Sequence, residues 1–205
     1  MIVLPQRGLY AITQPEHKTL EKVVEEVTAA ITGGATIIQY RDKQPMDAEK
    51  LATQLLTVCS SMKVPLIIND NIDLAAKIGA DGVHLGQNDG LLVEARKKLG
   101  KEAIIGISCY SDLQKAQVAQ SQGANYVAFG RFYPSRSKPL APLADINILK
   151  QAKLHLQIPM VAIGGIKPEN GAELIDAGAD FLAAIDGVFA HAPEHSAKNY
   201  QQLFR

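Results

Sequence analysis

The stretch Leu66–Asp89, LIINDNIDLAAKIGADGVHLGQND, decides the fold. Its first three residues form a short apolar run of the kind a buried strand shows, Asp73–Ile78 fits a short helix, and Gly82–Leu85 is a second buried run. A strand, a helix and a strand in so short a span make a parallel βαβ unit, whose right-handed crossover sets both strand ends on one edge of the sheet. Each strand ends in polar residues, Asn69-Asp70 after the first and Gln87-Asn88-Asp89 after the second. Asp70 and Asp89 are therefore expected to project into the same space. Two carboxylates with amide neighbours make a hard oxygen site of the kind Mg²⁺ accepts while keeping waters and substrate phosphate oxygens. Either acid could also cap the helix after it, Asp70 before Asp73 and Asp89 before Leu91, and the two roles are compatible.

Outward from this unit the same alternation continues. Strands are expected at Leu9–Ile12, Thr36–Tyr40, Ala103–Ile107, Tyr126–Phe129, Met160–Ile163 and Phe181–Ile185. Helices are expected over His17–Ile31, from a cap at Asp47 to about Ser61, over Leu91–Leu99, from a cap at Ser111 through Ser121, and over Ala144–Leu156, Lys167–Ala177 and Ala197–Phe204. The dipeptide Gly-Ala recurs before strands two, four, six and eight, with glycines at 34, 79, 123 and 178. The spacings of 45, 44 and 55 residues each match two βα units, the last lengthened by the polar loop Gly130–Leu143. A glycine there closes a helix in a left-handed turn. Eight βα units in 205 residues predict an α/β fold, a single (β/α)8 TIM barrel occupying 1–205 as one domain. An open Rossmann-like sheet is the weaker alternative, because no G-x-G-x-x-G follows the first strand.

Composition excludes several classes. Formal net charge is zero with no Lys/Arg-rich run, so nucleic-acid and membrane-surface roles lack electrostatic support. The two cysteines, Cys59 and Cys109, have no CxxC or zinc spacing and read as reduced thiols of a cytoplasmic protein. The N-terminus MIVLPQRGLYAIT has no basic start and long apolar core, so no signal peptide is expected, and no apolar stretch approaches a membrane span.

Active sites of such barrels lie at the C-terminal strand ends. Strand two delivers Gln39, Arg41 and Lys43, alternate residues that share a face while the strand lasts. Arg offers a planar fork of donors and Lys a point charge, which suits a diphosphate, although a solvated strand end would look the same. Strands three to five add Asn69, Asp70, His84, Gln87, Asp89 and Ser108; His84, inside an apolar strand, is expected to be a packed, hydrogen-bonded barrel residue. The loop after strand six supplies Arg131, Ser135, Arg136, Ser137 and Lys138. Gly164-Gly165 follows strand seven and Asp186-Gly187 strand eight, where this fold usually holds phosphate, though glycines there also make plain tight turns. The residues thus describe a diphosphate clamp with one metal beside a monophosphate cradle. They show no Ser-His-Asp set and no carboxylate acid/base dyad.

At these positions the chain resembles the thiamine phosphate synthase family. QYRDK at Gln39–Lys43, IINDNIDLA from Ile67, DGVHLGQND from Asp81, IGIS ending at Ser108, PSRSK at Pro134–Lys138 and AIGGI from Ala162 occur in the family's order, over roughly Leu9 to Ala190. Linked motifs in one order are far more specific than any alone. The family joins 4-amino-2-methyl-5-pyrimidinylmethyl diphosphate to a thiazole phosphate and releases diphosphate. The resemblance implies that Gln39, Tyr40, Arg41, Asp42 and Lys43, with Asn69, hold the pyrimidine diphosphate. Asp70 and Asp89 would hold Mg²⁺, and Ser108 would touch the pyrimidine. Ser135, Arg136 and Ser137 would line the thiazole phosphate site, Lys138 would hold the diphosphate, and Gly165, Ile185 and Asp186 would complete the cradle. Arg41, Lys43, Lys138 and Ser108 would act on the reacting groups. Two departures stand out: Ser135 and Ser137 replace the family's common threonines and keep the hydroxyl, while Ile185-Asp186 replaces a common Val-Ser pair. A carboxylate beside phosphate is unfavourable unless it turns away, binds a cation or leaves the contact to backbone amides.

A thiazole tautomerase would share the barrel and the thiazole phosphate site but need an acid/base residue and no clamp. A non-catalytic phosphate-ligand sensor would not need the metal pair. Expected partners are the two small-molecule substrates; a homo-oligomer is compatible with the sequence, which also leaves open whether the thiazole is free or carboxylated.

Overall fold

A helix begins where a side chain can accept its first free amides. In the computed structural model, which describes residues 2–44, 47–86, 90–135 and 142–205, Thr19, Asp47, Asn71 and Asp112 do this for the amides of Lys22, Lys50, Leu74 and Lys115. The elements run β1 (Gly8–Ile12), α1 (Leu20–Thr32), β2 (Ala35–Tyr40), α2 (Ala48–Ser61), β3 (Leu66–Asn69), α3 (Ile72–Ile78), β4 (Gly82–Leu85), α4 (Gly90–Leu99), β5 (Ile104–Tyr110), α5 (Leu113–Ser121), β6 (Tyr126–Gly130), α6 (Asn147–His155), β7 (Met160–Ile163), α7 (Pro168–Asp176), β8 (Phe181–Ala184), α8 (Asp186–Phe189) and α9 (Pro193–Gln202).

The strands close into a parallel barrel in sequence order, β8 pairing back onto β1 through Leu9–Leu182 and Tyr10–Ala183. The expected TIM-barrel architecture is the one found. The glycines of the Gly-Ala repeat, Gly34, Gly79, Gly123 and Gly178, all take positive φ as the chain turns from helix to strand.

Several element ends differ from the sequence reading, among them those of α1, α5, α9 and β8. Helix α1 starts at Leu20, because His17 sits at φ +63°, outside the right-handed helical region. Helix α5 is capped by Asp112, not Ser111. Helix α9 begins at Pro193, whose ring suits a first helical turn, well before Ala197. Strand β8 stops at Ala184, and Asp186 opens the extra short helix α8.

Side chains alternate between two buried layers. Tyr10, Ile12, Ile37, Ile67, Ile104, Tyr126, Ala128, Val161, Phe181 and Ala183 fill the barrel interior. Their strand neighbours, such as Leu9, Ala11, Ile38, Leu66, Val83, Ile105 and Val127, pack outward against the helices. The interior is a packed core rather than a pore, so only the strand ends are left for chemistry.

At the opposite end Arg96 of α4 staples two turns. Its guanidinium donates to the carbonyls of Gly100, Lys101, Ala103 and Gly123 and to Asn125 Oδ1, which itself accepts from the Ile105 amide. Arg96→Met keeps the aliphatic stem and removes the donors. It is expected to cost about 2 kcal/mol, because several carbonyls lose a charged partner while most remain in reach of water. For a chain of this size that corresponds to a melting temperature lower by about 4–8 °C. An unchanged melt would show that the staple carries no weight.

Candidate active site

Two adjoining hollows open at the C-terminal strand ends. The larger is a cleft of about 940 Å³. The smaller is a polar recess of about 560 Å³, walled by Arg41, Asp42, Lys43, Asn69, Asp70, His84, Gly86, Ser108 and Tyr110. Arg41, Asn69, His84, Ser108 and Tyr110 face both.

Strand β2 splits its residues between layers. Gln39 lines the cleft; past the strand end at Tyr40, Arg41 lines both hollows and Lys43 the recess beside Asp42, so the turn rather than strand alternation presents these charges. Tyr40 points the other way, into the helix-side layer, and its hydroxyl donates to Asp42 Oδ2 at 3.5 Å. Burial, with Asp42 and Asp47 nearby, pushes this phenol well above the usual tyrosine range. The turn after β2 is held by Thr13, which is almost fully buried. Its hydroxyl donates to the Arg41 carbonyl and accepts from the Arg41 amide. The backbone that presents the guanidinium is thereby tied to β1.

Asp70 sits in the recess at the end of β3 with φ +60°. Left-handed backbone is uncommon for any residue but glycine, though Asp and Asn tolerate it best. Its amide donates to the His84 carbonyl, which ties it to β4, and its carboxylate accepts from Asn69 Nδ2 at 2.7 Å. A Cβ placed on Gly86 would lie 3.8 Å from Asp70 Oδ1, so the carboxylate faces the exit of β4. The cap of α3 is Asn71, not Asp70. Asp70 therefore does not take the capping role that the sequence also allowed it. Asp89 lies outside the described residues, as do Arg136, Ser137 and Lys138. Among the described residues no group of three or more His, Cys, Asp or Glu side chains gathers. One acid from β3 beside an amide suits Mg²⁺, which binds through one or two carboxylates and leaves its other positions to water and phosphate.

Strand β5 runs on to Tyr110, three residues beyond the expected end. Ser108 therefore leaves the barrel with its hydroxyl turned inward, 2.9 Å from His84 Nε2. His84 Nδ1 is 3.0 Å from the Tyr126 hydroxyl and its ring stacks on Tyr126, as the expectation of a packed barrel histidine had it. Tyr126 in turn meets Tyr10 at 2.7 Å, and Gln39 Nε2 donates to Tyr10 at 2.8 Å. Gly106 makes room for this arrangement: a Cβ there would fall 1.9 Å from Cζ of Tyr126. Burial pushes both phenols far above the usual range, so both keep their protons. The sequence reading passed over Tyr10 and Tyr126; the signal available was a tyrosine inside each of two apolar strands.

On the other side of the cleft Arg131 and Ser135 come from the loop after β6, Gly164 and Gly165 from the loop after β7, and Ile185 and Asp186 from the start of α8. Gly164 and Gly165 both have positive φ. A Cβ on Gly165 would fall 2.3 Å from the Pro134 carbonyl oxygen, and one on Gly164 2.2 Å from Arg131 Cβ. The two glycines thus let the loop bearing Arg131 and Ser135 lie directly on the β7 turn. Amides of Phe132 and Tyr133 donate to the carbonyls of Ile163 and Gly164. The Tyr133 hydroxyl lies within hydrogen-bond reach of both the Asn170 carbonyl and the Glu173 side chain, and burial raises its pKa to about 12. Nearby, His191, His195 and Asn199 complete the rim of the cleft; the sequence reading did not single them out.

With this geometry in hand, the comparisons with known proteins agree among themselves. The family model described as thiamine monophosphate synthase matches residues 9–188. A thiamine-phosphate synthase of Methylococcus capsulatus is 47% identical over 92% of this chain and 84% of its own length. That of Nitrosococcus oceani is 49% identical over 97% of this chain and 93% of its own length. Among solved structures, a thiamine phosphate pyrophosphorylase from Pyrococcus furiosus superposes with a TM-score of 0.86 at 30% identity, covering 97% of this chain and 95% of that one. A 3-hexulose-6-phosphate synthase, with a TM-score of 0.69 at 17% identity, shares the barrel alone.

Proposed function

The chain belongs to the thiamine monophosphate synthase family, and from that premise we propose how its two hollows divide the reaction. The pyrimidinylmethyl diphosphate places its diphosphate in the recess and its ring toward the cleft, where the thiazole phosphate waits. The observation that carries this reading is the shared wall. Arg41, Asn69, His84, Ser108 and Tyr110 face both hollows, so two substrates seated there meet across those residues.

Arg41 and Lys43 hold the leaving group, and their fixed positive charge favours the oxyanions that form as it departs. Mg²⁺, held by Asp70 with Asp89, would add charge stabilisation at the same oxygens. Lys138 serves the same diphosphate, and Asn69 and Asp42 complete the recess. Ser135 with Arg136, Ser137, Gly165, Ile185 and the turn at Asp186 grips the thiazole phosphate and holds its ring nitrogen near the pyrimidine methylene. The methylene C–O bond breaks and its electron pair leaves with diphosphate. The aminopyrimidine ring supports the electron-poor carbon until the thiazole nitrogen lone pair forms the new C–N bond. No proton has to move, which fits a site that, among the described residues, gathers no carboxylate acid/base pair. The reaction is set in one domain spanning the chain, in the cytoplasm, where the buried free thiols of Cys59 and Cys109 stay reduced.

The test mixes both substrates with the protein and measures diphosphate. Release should need both substrates together with Mg²⁺. Chelating the metal is expected to slow it by on the order of a hundred-fold or more, as a metal supplies several kcal/mol of charge stabilisation. Turnover that survives chelation, or a thiazole isomerised without diphosphate release, would overturn the reading.

A further inference from the structure

Four hydrogen bonds join five side chains from five strands across the barrel interior. Gln39 Nε2 meets Tyr10 at 2.8 Å, Tyr10 meets Tyr126 at 2.7 Å, Tyr126 meets His84 Nδ1 at 3.0 Å, and His84 Nε2 meets Ser108 Oγ at 2.9 Å. Gln39 is 3% exposed, Tyr10 1% and Tyr126 0%, so bulk water does not cut into this end of the chain.

Such a chain has a direction. A phenol has one proton, and a neutral imidazole has one N–H and one bare nitrogen. Gln39 enters as a donor, so Tyr10 must pass its own proton to Tyr126, and Tyr126 its proton to His84 Nδ1. The imidazole proton is then on Nε2 and goes to the Ser108 oxygen. What remains is the Ser108 proton, which points out of the chain toward the hollows. Had the amide at position 39 presented its oxygen to Tyr10, every bond would reverse, and Ser108 would spend its proton on His84. Buried phenols hold their protons firmly, which keeps the count at one each.

We propose that Gln39 is a positioning residue whose amide, acting through Tyr10, Tyr126 and His84, makes the Ser108 hydroxyl a hydrogen-bond donor to the pyrimidine diphosphate. The ligand rests on the function proposed above; the direction of the chain does not. A donating Ser108 can satisfy an acceptor such as a ring nitrogen of the pyrimidine, which a Ser108 that had spent its proton on His84 could not. Gln39 thereby selects the pose of a substrate through three intervening side chains.

The direction can be read without turnover. NMR of protein isotopically labelled at the histidine nitrogens should show His84 as the Nε2–H tautomer. Gln39→Glu offers only acceptors when ionised and should convert His84 to the Nδ1–H form. Tyr126→Phe cuts the chain at its centre without adding charge and should leave a mixture. An Nδ1–H form in the unsubstituted protein, or an Nε2–H form retained in both variants, overturns the proposal. In kinetics, Gln39→Glu should raise KM for the pyrimidine diphosphate roughly ten-fold, about one misdirected hydrogen bond. It should add nothing once Ser108→Ala is present, because both changes act on one interaction. Additive losses would overturn it. If no diphosphate is released even by the unsubstituted protein, the functional reading fails while the tautomer measurement still decides the network.

Discussion

Asp70→Asn should leave the protein folded and nearly inactive. Asparagine keeps the shape of the side chain and tolerates the left-handed backbone at φ +60°. Helix α3 keeps its cap, because Asn71 rather than residue 70 accepts from the Leu74 amide. What goes is the negative charge in the recess, facing the exit of β4 and bonded only by Asn69 among the described side chains. If that carboxylate holds the divalent ion, losing it should lower kcat on the order of 10²–10³-fold, the scale at which single preorganised charges act on a transition state. KM for the thiazole phosphate should hardly move, since the seat proposed for that molecule is on the far side of the cleft. Raising Mg²⁺ should recover part of the rate. A near-normal kcat at low Mg²⁺ would remove Asp70 from the metal site, and with it the assignment of the recess to the diphosphate.

Gly165→Ala should damage the opposite wall. The added methyl group would fall 2.3 Å from the Pro134 carbonyl oxygen, a backbone atom, at a residue with φ +63°. Left-handed backbone costs an alanine about 1–2 kcal/mol and the clash a similar amount again, so a loss of roughly 2–4 kcal/mol is expected. The strain is relieved most easily by lifting the loop that carries Arg131 and Ser135. The thiazole phosphate would then lose its grip, and its KM should rise ten-fold or more, about the value of one charge-assisted bond. KM for the pyrimidine diphosphate should stay close to normal. Titrating each substrate in turn checks this, and equal effects on both would mean that the two hollows are not separate sites.

The barrel was legible because its grammar is local. Gly34, Gly79, Gly123 and Gly178 turn helices into strands at regular intervals and do so with the positive φ their spacing implies. The motif residues were legible as strand ends, and Arg41, Lys43, Asn69, Asp70 and Ser108 do meet around one recess. The facing of each strand was not legible. A parallel barrel is covered on both sides, so an apolar run such as Leu9–Ile12 does not say which alternate residues point inward. Tyr10 stands unmarked inside such a run, and its partner Tyr126 lies 116 residues away. Tyr40, which the family resemblance had placed with the diphosphate, turns its ring to the helices instead. The cap of α5 fell one position on, at Asp112 rather than Ser111, and the cap that Asp70 could also have made is made by Asn71, because neighbouring polar residues compete and only the backbone angles decide.

Residue 70 also says something about compromise. Glycine would adopt its backbone angles without steric penalty, so durability alone gives no reason to prefer an acid at φ +60°. A chain shaped only to endure heat or denaturant has no use for an acid in that twisted spot. If it holds the metal as proposed, toughness has been traded there for work, and searches for hardier variants that score melting alone will drift toward an inert barrel.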